Sequence, residues 1–360
     1  RRPQLRKLLR VDDTMAFAQR SMNYRNLAAT IALPANTVAD ILVAYSSKQA
    51  TQLPLSIESE DHFYARVRHE DLHNWALLAM LIGMTLVSTV YLMAMGFGTA
   101  GYYGAYILIS GLYLFHTDGY AFQYLWPDAP RWNSIAVAPI GMAMVAAGCL
   151  FARSFIAAPT YHPRLNKLLL ACIAIATVLL VVSIFGLESR WFKTGTLLFV
   201  VATSILYLTS GILAARRGQA GAVFFVIGSL AIISTICFGA AGYLYPGQFN
   251  QDVAGHYGRY ALLGEGTAFS FAILLHILNL RRERDRALQR EVQTAQEKLA
   301  VSEALIEAQK SHSRAVALAE SRRHRLASTA HDIQQPLASL RMAVTQLTDR
   351  DNETVEHVHS

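Results

Sequence analysis

Long runs of apolar, uncharged residues separated by short polar connections occupy the chain from residue 75 to residue 280, and the segments on either side are rich in charge. A helix needs about 20 mostly apolar residues to cross the hydrocarbon core of a bilayer. Seven runs approach this length, and the second is the shortest, so the pattern predicts seven transmembrane helices. They are Trp75–Met95, Tyr102–His116, Asn133–Phe151, Leu168–Phe185, Gly195–Leu213, Ala222–Tyr243 and Ala261–Leu280.

The basic and tryptophan residues predict the orientation of these helices. If the connections alternate between the two sides of the membrane, one side collects most of the loop arginines and lysines, and that side is the cytoplasm. All four tryptophans then lie near the opposite interface, so we expect the N-terminus outside and the C-terminus inside. The cytoplasmic basic residues are Arg153, Arg164, Lys167, Arg216, Arg217, Arg281, Arg282, Arg284 and Arg286, and the tryptophans are Trp75, Trp126, Trp132 and Trp191.

Residues 1–70 precede the first apolar run and would therefore lie outside the cytoplasm. Short runs with β-strand composition occur at Leu27–Leu33, Asp40–Ser46 and Gln52–Ile57, separated by turn residues. They predict the last strands of a β-sandwich, which are too few to close one. The sequence opens at Arg1 without a methionine and stops in a helical pattern at Ser360, so we expect a fragment of a longer protein.

Composition agrees with a membrane protein, because 53% of the residues are hydrophobic and only 16% are charged. The net charge of +7 is spread over helix ends and a mixed-charge tail, so it does not indicate nucleic-acid binding. The cysteines Cys149, Cys172 and Cys237 lie in apolar runs, where cysteine acts as a small buried hydrophobe. We therefore predict neither a disulfide framework nor a metal site.

Three classes of protein are excluded: dinucleotide-binding proteins, retinal proteins and transporters. The letters GFGTAG at residues 96–101 match a dinucleotide-binding loop, but they follow a predicted transmembrane helix instead of a strand and are interpreted as a tight cytoplasmic turn. The last span contains no lysine that could bind retinal as a Schiff base. Two inverted halves with broken helices, which are typical of transporters, are not visible.

Glu265 lies inside the seventh predicted span, where a carboxylate is costly unless it is paired, protonated or in a polar cavity. It is therefore a candidate for ligand binding or signalling. The alternative is structural: Glu265 is near the outer end of the span and bonds to Arg259, Tyr257 or another helix.

The outer connection of residues 116–132 combines polar groups with aromatic residues. His116 and Asp118, together with Gln123 and Asp128, would suit a small-molecule site or a surface on which a domain docks. The alternative is an aromatic belt at the membrane interface with a polar turn.

After residue 280 the chain becomes a long charged segment in which apolar and small residues recur at alternating spacings of four and three, which predicts a coiled coil. A merely solvated helix is the alternative. A second series follows, offset from the first by ten residues between Val316 and Leu326, the spacing of a stammer that locally overwinds a coiled coil. The first series is Leu288, Val292, Ala295, Leu299, Ser302 and Ile306, and the second is Leu326, Ala330, Ile333, Leu337, Leu340, Val344 and Leu347.

His331 directly follows the core position Ala330, so its side chain is expected on the solvent-facing flank of the helix. A neutral imidazole has an unprotonated nitrogen that can attack the γ-phosphate of ATP. Asp332 can accept a hydrogen bond from the other nitrogen, which fixes the tautomer. Pro336 lacks the N–H that would bond the carbonyl of Asp332, so a bend is expected just beyond the histidine.

The stretch STAHDIQQPLASLRMAV, residues 328–344, resembles the phosphoacceptor motif of the histidine-kinase dimerisation domain. The resemblance implies that His331 is the phosphoacceptor, with Asp332 and Pro336 at their family positions. Gln335 departs from the family, in which a Thr or Asn orients water for dephosphorylation of a partner regulator, although an amide can also position water. The resemblance further implies a homodimer, a response regulator as partner, and ATP with Mg²⁺ bound by a separate domain.

The membrane part, with the segment GLYLFHTDGYAFQYLWPDAPRWN, resembles the seven-transmembrane receptors with diverse intracellular signalling modules. This resemblance implies an extracytoplasmic sensory domain of jelly-roll type that binds carbohydrate or another small ligand. It also implies a location in the bacterial inner membrane, in contact with membrane lipid.

The predicted fold class is mainly α: a seven-transmembrane helix bundle, a coiled coil and the start of a dimeric four-helix-bundle phosphoacceptor domain, with a short β-sandwich remnant at the N-terminus. The predicted boundaries are 1–70 for the remnant, 71–280 for the membrane domain, 281–318 for the coiled coil and 319–360 for the partial phosphoacceptor domain.

These observations favour a sensor histidine kinase that relays an extracytoplasmic signal, from a small ligand or a protein, to His331 and then to a response-regulator aspartate. No ATP-binding motif follows His331, so residues 1–360 alone are expected to be inactive. One alternative is a non-enzymatic receptor or scaffold that dimerises and recruits cytoplasmic partners. Another is a membrane-embedded enzyme or carrier that uses Glu265 and His116.

Overall fold

The computed structural model of the chain describes residues 12, 14–32, 40–44, 55–95, 98–186, 189–244 and 251–356. Within these ranges the protein is almost entirely helical, and they contain no strand. A 3-10 turn, Phe17–Gln19, precedes ten helices. These are α1 Glu60–Met95, α2 Thr99–Thr117, α3 Tyr120–Tyr124, α4 Pro130–Ile135, α5 Val137–Phe155, α6 Ala158–Tyr161, α7 Pro163–Ile184, α8 Arg190–Arg216, α9 Ala222–Leu244 and α10 Gln251–Glu356.

Six of the described helices are long and apolar enough to cross a membrane: α1, α5, α7, α8, α9 and α10. The second predicted span lies in α2, which has 19 residues but is not among these six. Its first half is rich in glycine and tyrosine, which lowers its hydropathy. Helix α2 packs against both α1 and α5, and eight of its residues are buried. Helices α1 and α5 therefore cover much of the surface of α2, which is less apolar than their own surfaces.

Aromatic side chains fill the space between α5, α9 and α10. The ring of Phe225 stacks on Phe155 and on Phe269 with 4.9 Å between ring centroids in both pairs, and Phe151 lies 5.2 Å from Phe269. Aromatic pairs of this kind contribute about 0.5–1.5 kcal/mol beyond the area they bury. In a membrane this close packing is what holds helices together, because lipid offers no hydrophobic driving force between them.

Glycines allow α9 to approach α10 closely. Gly221 has a φ of +83°, and a Cβ built at this position would overlap the backbone carbonyl of Ala272. A Cβ at Gly228 would likewise overlap the ring of Phe269. The absence of side chains at these two positions therefore sets the distance between the helices.

The predicted β-strands are wrong wherever the structure describes them. Residues 27–32, 40–44 and 55–57 adopt no regular secondary structure, and the rest of the three runs lies outside the described residues. A strand needs a neighbouring strand to satisfy its backbone groups, and these residues have none in the described part of the chain. Within residues 14–32, Phe17 and Arg25 instead contact the membrane bundle, through their side chains and through one backbone hydrogen bond.

Helix α10 begins in the membrane bundle and continues without interruption to Glu356. Pro336 lies inside this helix, which is helical on both sides of it. Contacts divide the chain after Leu280 into two compact units. Nearly every described residue of the second unit is exposed in the single chain, including Leu288, Leu299 and Leu337 of the two predicted heptad series.

Candidate functional site

Arg25 is at the centre of a cluster of polar side chains at the end of the bundle where α2 ends and α3 begins. Its side chain is buried, with 8% of the residue exposed, and lies between α1 and α3. The guanidinium forms ion pairs with Asp71 and with Glu70, at 2.6 Å for Glu70, and donates a hydrogen bond of 2.6 Å to the hydroxyl of Tyr120. The Tyr120 hydroxyl in turn donates to Asp71 at 2.6 Å. These four side chains form a closed charged network, which we call the Arg25 cluster.

Further contacts hold the segment of residues 14–32 against the connection between α2 and α4. The backbone N–H of Phe17 donates to the carbonyl of Pro127 at 2.8 Å, and its ring packs edge-on against Phe122. The guanidinium of Arg20 lies over both rings, at 5.3 Å from Phe17 and 4.9 Å from Phe122. A segment whose regular structure is a single 3-10 turn is therefore fixed to the bundle by cation–π contacts, an aromatic contact and a backbone hydrogen bond.

Asp118 follows the C-terminus of α2 and pairs with Arg259 of α10, with 2.6 Å between Nη2 and Oδ1. Asp118 is buried, and burial raises the pKa of its carboxyl group. The positive charges of Arg259 and, more weakly, Arg25 and His256 oppose that rise in pKa. Asp118, one of the predicted site residues, thus links α2 to α10. Its partner Arg259 is also one of the partners that the sequence suggests for Glu265.

His116 is the penultimate residue of α2 and lies beside Trp126, with 5.8 Å between the ring centroids. Its Nδ1 is buried and has no hydrogen-bond partner among the described residues. The surrounding connection is strongly aromatic: Tyr120 lies 5.2 Å from Trp75 and stacks on Phe115 at 5.6 Å. This arrangement has the character of an interfacial aromatic belt.

Glu265 is buried in α10 and accepts a hydrogen bond from the hydroxyl of Tyr106 in α2. Close to it, the hydroxyl of Tyr103 is 2.7 Å from the carbonyl oxygen of Gly266 and 2.6 Å from the hydroxyl of Ser270. The sequence suggests Arg259, Tyr257 or a residue of another helix as the partner of Glu265. The structure shows the third case, with Tyr106 of α2 as the partner. The carboxylate is therefore part of a polar seam between α2 and α10, and His116 has different neighbours.

Sequence reasoning missed Arg25, Tyr103 and Tyr106. The two tyrosines are three residues apart, so they lie on one face of α2, and this spacing in a predicted span was a usable signal. Arg25 gave no comparable signal, because its partners Glu70 and Asp71 lie about 45 residues further along the chain.

The second unit places His331, Asp332, Gln335 and Pro336 on helix α10, and all four are exposed in the single chain. A separation of four residues puts Gln335 on the same face as His331, one turn further on. The imidazole is accessible to a large partner. Among the described residues, no group of three or more His, Cys, Asp or Glu side chains is arranged to hold a metal ion.

The family model described as 7TM diverse intracellular signalling matches residues 70–275, more than half of the chain. The chain belongs to this family. It is thus a transmembrane receptor of the 7TM diverse intracellular signalling type, and a multi-pass membrane protein. No curated protein and no solved structure matches the chain.

The part of the chain that matches the 7TM diverse intracellular signalling family contains Asp118, Arg259 and Glu265. Arg25 precedes it, and His331 follows it. The receptor part is therefore assigned by the family, and the role of the part of α10 that follows Leu280 has to be argued from its own residues.

Proposed function

We propose that this receptor is the sensor and relay part of a dimeric sensor histidine kinase, with His331 as the phosphoacceptor. The observation that carries the proposal is the motif AHDIQQPL, residues 330–337, displayed on the exposed surface of a helix that begins in the receptor bundle. This places a nucleophile on the element that leaves the membrane domain.

The chemistry requires only a few groups. An unprotonated nitrogen of His331 attacks the γ-phosphorus of ATP, the bond to the bridging oxygen of ADP breaks, and ADP leaves with Mg²⁺. Asp332 holds the other nitrogen in the protonated tautomer. A catalytic domain outside residues 1–360 binds the ATP and Mg²⁺. The phosphoryl group then passes to an aspartate of a response regulator. The amide of Gln335 can orient water for a separate reaction, the hydrolysis of that aspartyl phosphate to inorganic phosphate.

Dimerisation and topology complete the proposal. The exposed apolar residues of the two heptad series, such as Leu299 and Leu337, are covered by a second copy of the chain in a coiled coil and four-helix bundle. Helix α2 brings the number of spans to seven, since its 19 residues extend about 28 Å at about 1.5 Å per residue. Seven spans put the two termini on opposite sides of a bacterial inner membrane. The basic residues in the loops assign the C-terminus to the cytoplasmic side and the N-terminus to the outside.

Phosphorylation of His331 can be tested directly. The membrane-inserted chain is mixed with a histidine-kinase catalytic domain, Mg²⁺ and ATP labelled at the γ-phosphate. We expect acid-labile label on the parent chain and none on His331→Gln. His324→Gln is the matched control, because His324 is an exposed histidine on the same helix, and this variant should keep the label.

Label that persists in His331→Gln would reject the phosphoacceptor role. The exposed heptad residues would then favour the alternative function, a receptor whose cytoplasmic helix dimerises and recruits partners without phosphorylation. A membrane-embedded enzyme or carrier would instead require activity that depends on Glu265 and His116 and is independent of His331.

A further inference from the structure

We call residues 14–32 the outer segment. Its contact with the end of α2 depends on one glycine. Gly119 begins α3 with a φ of +86°, and a Cβ at this position would lie 3.0 Å from the backbone carbonyl oxygen of Arg25. Arg25 therefore packs with its backbone against Gly119 and with its side chain against Tyr120, the next residue. The segment of residues 14–32 directly contacts the short junction between α2 and α3.

The same junction holds α10. Asp118 immediately precedes Gly119, and its carboxylate binds Arg259 at 2.6 Å. Three consecutive residues thus contact the outer segment on one side and α10 on the other. Helix α10 is the element that continues to His331 without interruption.

We propose that residues 118–120 couple the outer segment to helix α10, so that docking of Arg25 favours the Asp118–Arg259 ion pair and release of Arg25 weakens it. The route runs from Arg25 through the junction to Arg259. The proposal gives residues 118–120 a positioning role in signal transmission, which goes beyond the phosphorylation of His331. It rests on the proposed function only for the output at His331.

The strengths of the contacts suit a reversible device. The side chains of Glu70 and Asp71 are 33% and 37% exposed, so water competes for the carboxylates that bind Arg25. The Asp118–Arg259 pair is more enclosed, with side-chain exposures of 6% and 22%. The outer contacts therefore open more readily than the pair to which they are linked.

Docking can be measured as a distance distribution between spin labels at Asn26→Cys and Ser134→Cys, two exposed positions on the outer segment and on α4. The full chain is reconstituted in lipid nanodiscs, with Cys149, Cys172 and Cys237 replaced by alanine. We expect a narrow distribution for the parent and a broad one for Arg25→Gln. Because coupling is reciprocal, Arg259→Gln and Asp118→Asn should each lower the docked-to-released ratio about fivefold.

Two comparisons make the test specific. The double variant Asp118→Asn/Arg259→Gln should lower the ratio no further than either single change, since all three remove the same interaction. Arg68→Gln removes an exposed arginine from α1 at the same end of the bundle and should leave the distribution unchanged. A docked ratio that is insensitive to Arg259→Gln and Asp118→Asn, while Arg25→Gln lowers it, would overturn the coupling.

The spin-label distances do not depend on kinase chemistry, so the two proposals fail separately. If no variant is phosphorylated at His331 but the distances respond as expected, the coupling stands and the histidine-kinase function is rejected. If His331 is phosphorylated to the same extent in Arg25→Gln, Arg259→Gln and the parent, the junction does not transmit to the output and the proposed route is wrong.

Discussion

Single substitutions of buried polar side chains test the contacts between the helices of this receptor most directly. Glu265 is almost fully buried and is bonded by Tyr106 from a neighbouring helix. A buried carboxyl group that loses its hydrogen-bond donor is left with an unsatisfied oxygen, which is costly, whereas an amide in its place can still accept from the tyrosine hydroxyl. The bond therefore constrains α2 and α10 to one relative position.

We expect Tyr106→Phe to destabilise the bundle by about 1–3 kcal/mol, because it leaves the Glu265 carboxylate without this donor. Glu265→Gln keeps an acceptor for the tyrosine hydroxyl and should cost less. Thermal unfolding in detergent measures both changes. Tyr124→Phe, at an exposed tyrosine, serves as the control, and equal effects of Tyr106→Phe and Tyr124→Phe would contradict the prediction.

A second prediction concerns glycines of α9. Gly228→Ala should destabilise the protein by about 1–3 kcal/mol, because the added methyl group overlaps the ring of Phe269 and pushes α9 from α10. Gly239 of the same helix has open space around it. Gly239→Ala should be neutral or stabilising by up to about 1 kcal/mol, since alanine is the better helix former. Similar melting temperatures for the two variants would show that the close approach is not required.

At the level of whole elements, hydropathy located the six described helices that are long and apolar enough to cross a membrane, but not their ends. Helix α1 begins at Glu60, fifteen residues before the predicted span, because a helix continues beyond the bilayer wherever its charged residues can be solvated. The β-type runs failed for a related reason: strand propensity depends on neighbouring strands, and a short window does not contain them. The partners of Arg25 and Glu265 come from distant parts of the chain, so local pattern alone could not predict either contact.

The coiled coil predicted for the part of α10 that follows Leu280 has a direct test. Leu299 belongs to the heptad series, whereas Val301 is equally apolar and exposed but lies off the seam. Leu299→Asp should place two like charges in the dimer core and shift the chain towards monomer, while Val301→Asp should not. The dimer fraction is measured by sedimentation in detergent. If both substitutions have the same effect, the helix does not pair along this seam.

On the scale of the whole molecule, the number of spans determines on which side of the membrane each unit lies. Six described helices qualify by length and composition, and α2 is the additional helix that would make seven. An odd number of crossings puts residues 14–32 and the helix after Leu280 on opposite sides of the membrane, and an even number puts them on the same side.

A membrane-impermeant maleimide distinguishes these cases in intact cells. With the native cysteines replaced, we expect Asn26→Cys to react from outside and Ser313→Cys to react only after the cells are opened. Both positions are exposed in the single chain, so local burial does not limit the reaction. Reaction of both cysteines from the same side would mean that α2 does not cross.

The unbroken course of α10 gives its residues a common angular phase. Each residue advances an α-helix by about 100°, so deleting one residue between Leu288 and Ile306 would turn His331 about 100° around the axis, whereas deleting seven would restore its azimuth to within about 20°. If rotation of this helix carries the signal, an output module should respond only when it is joined in the correct helical phase. Spacer length in whole heptads, more than the identity of its residues, is then the quantity that recombination between receptors and outputs has to preserve.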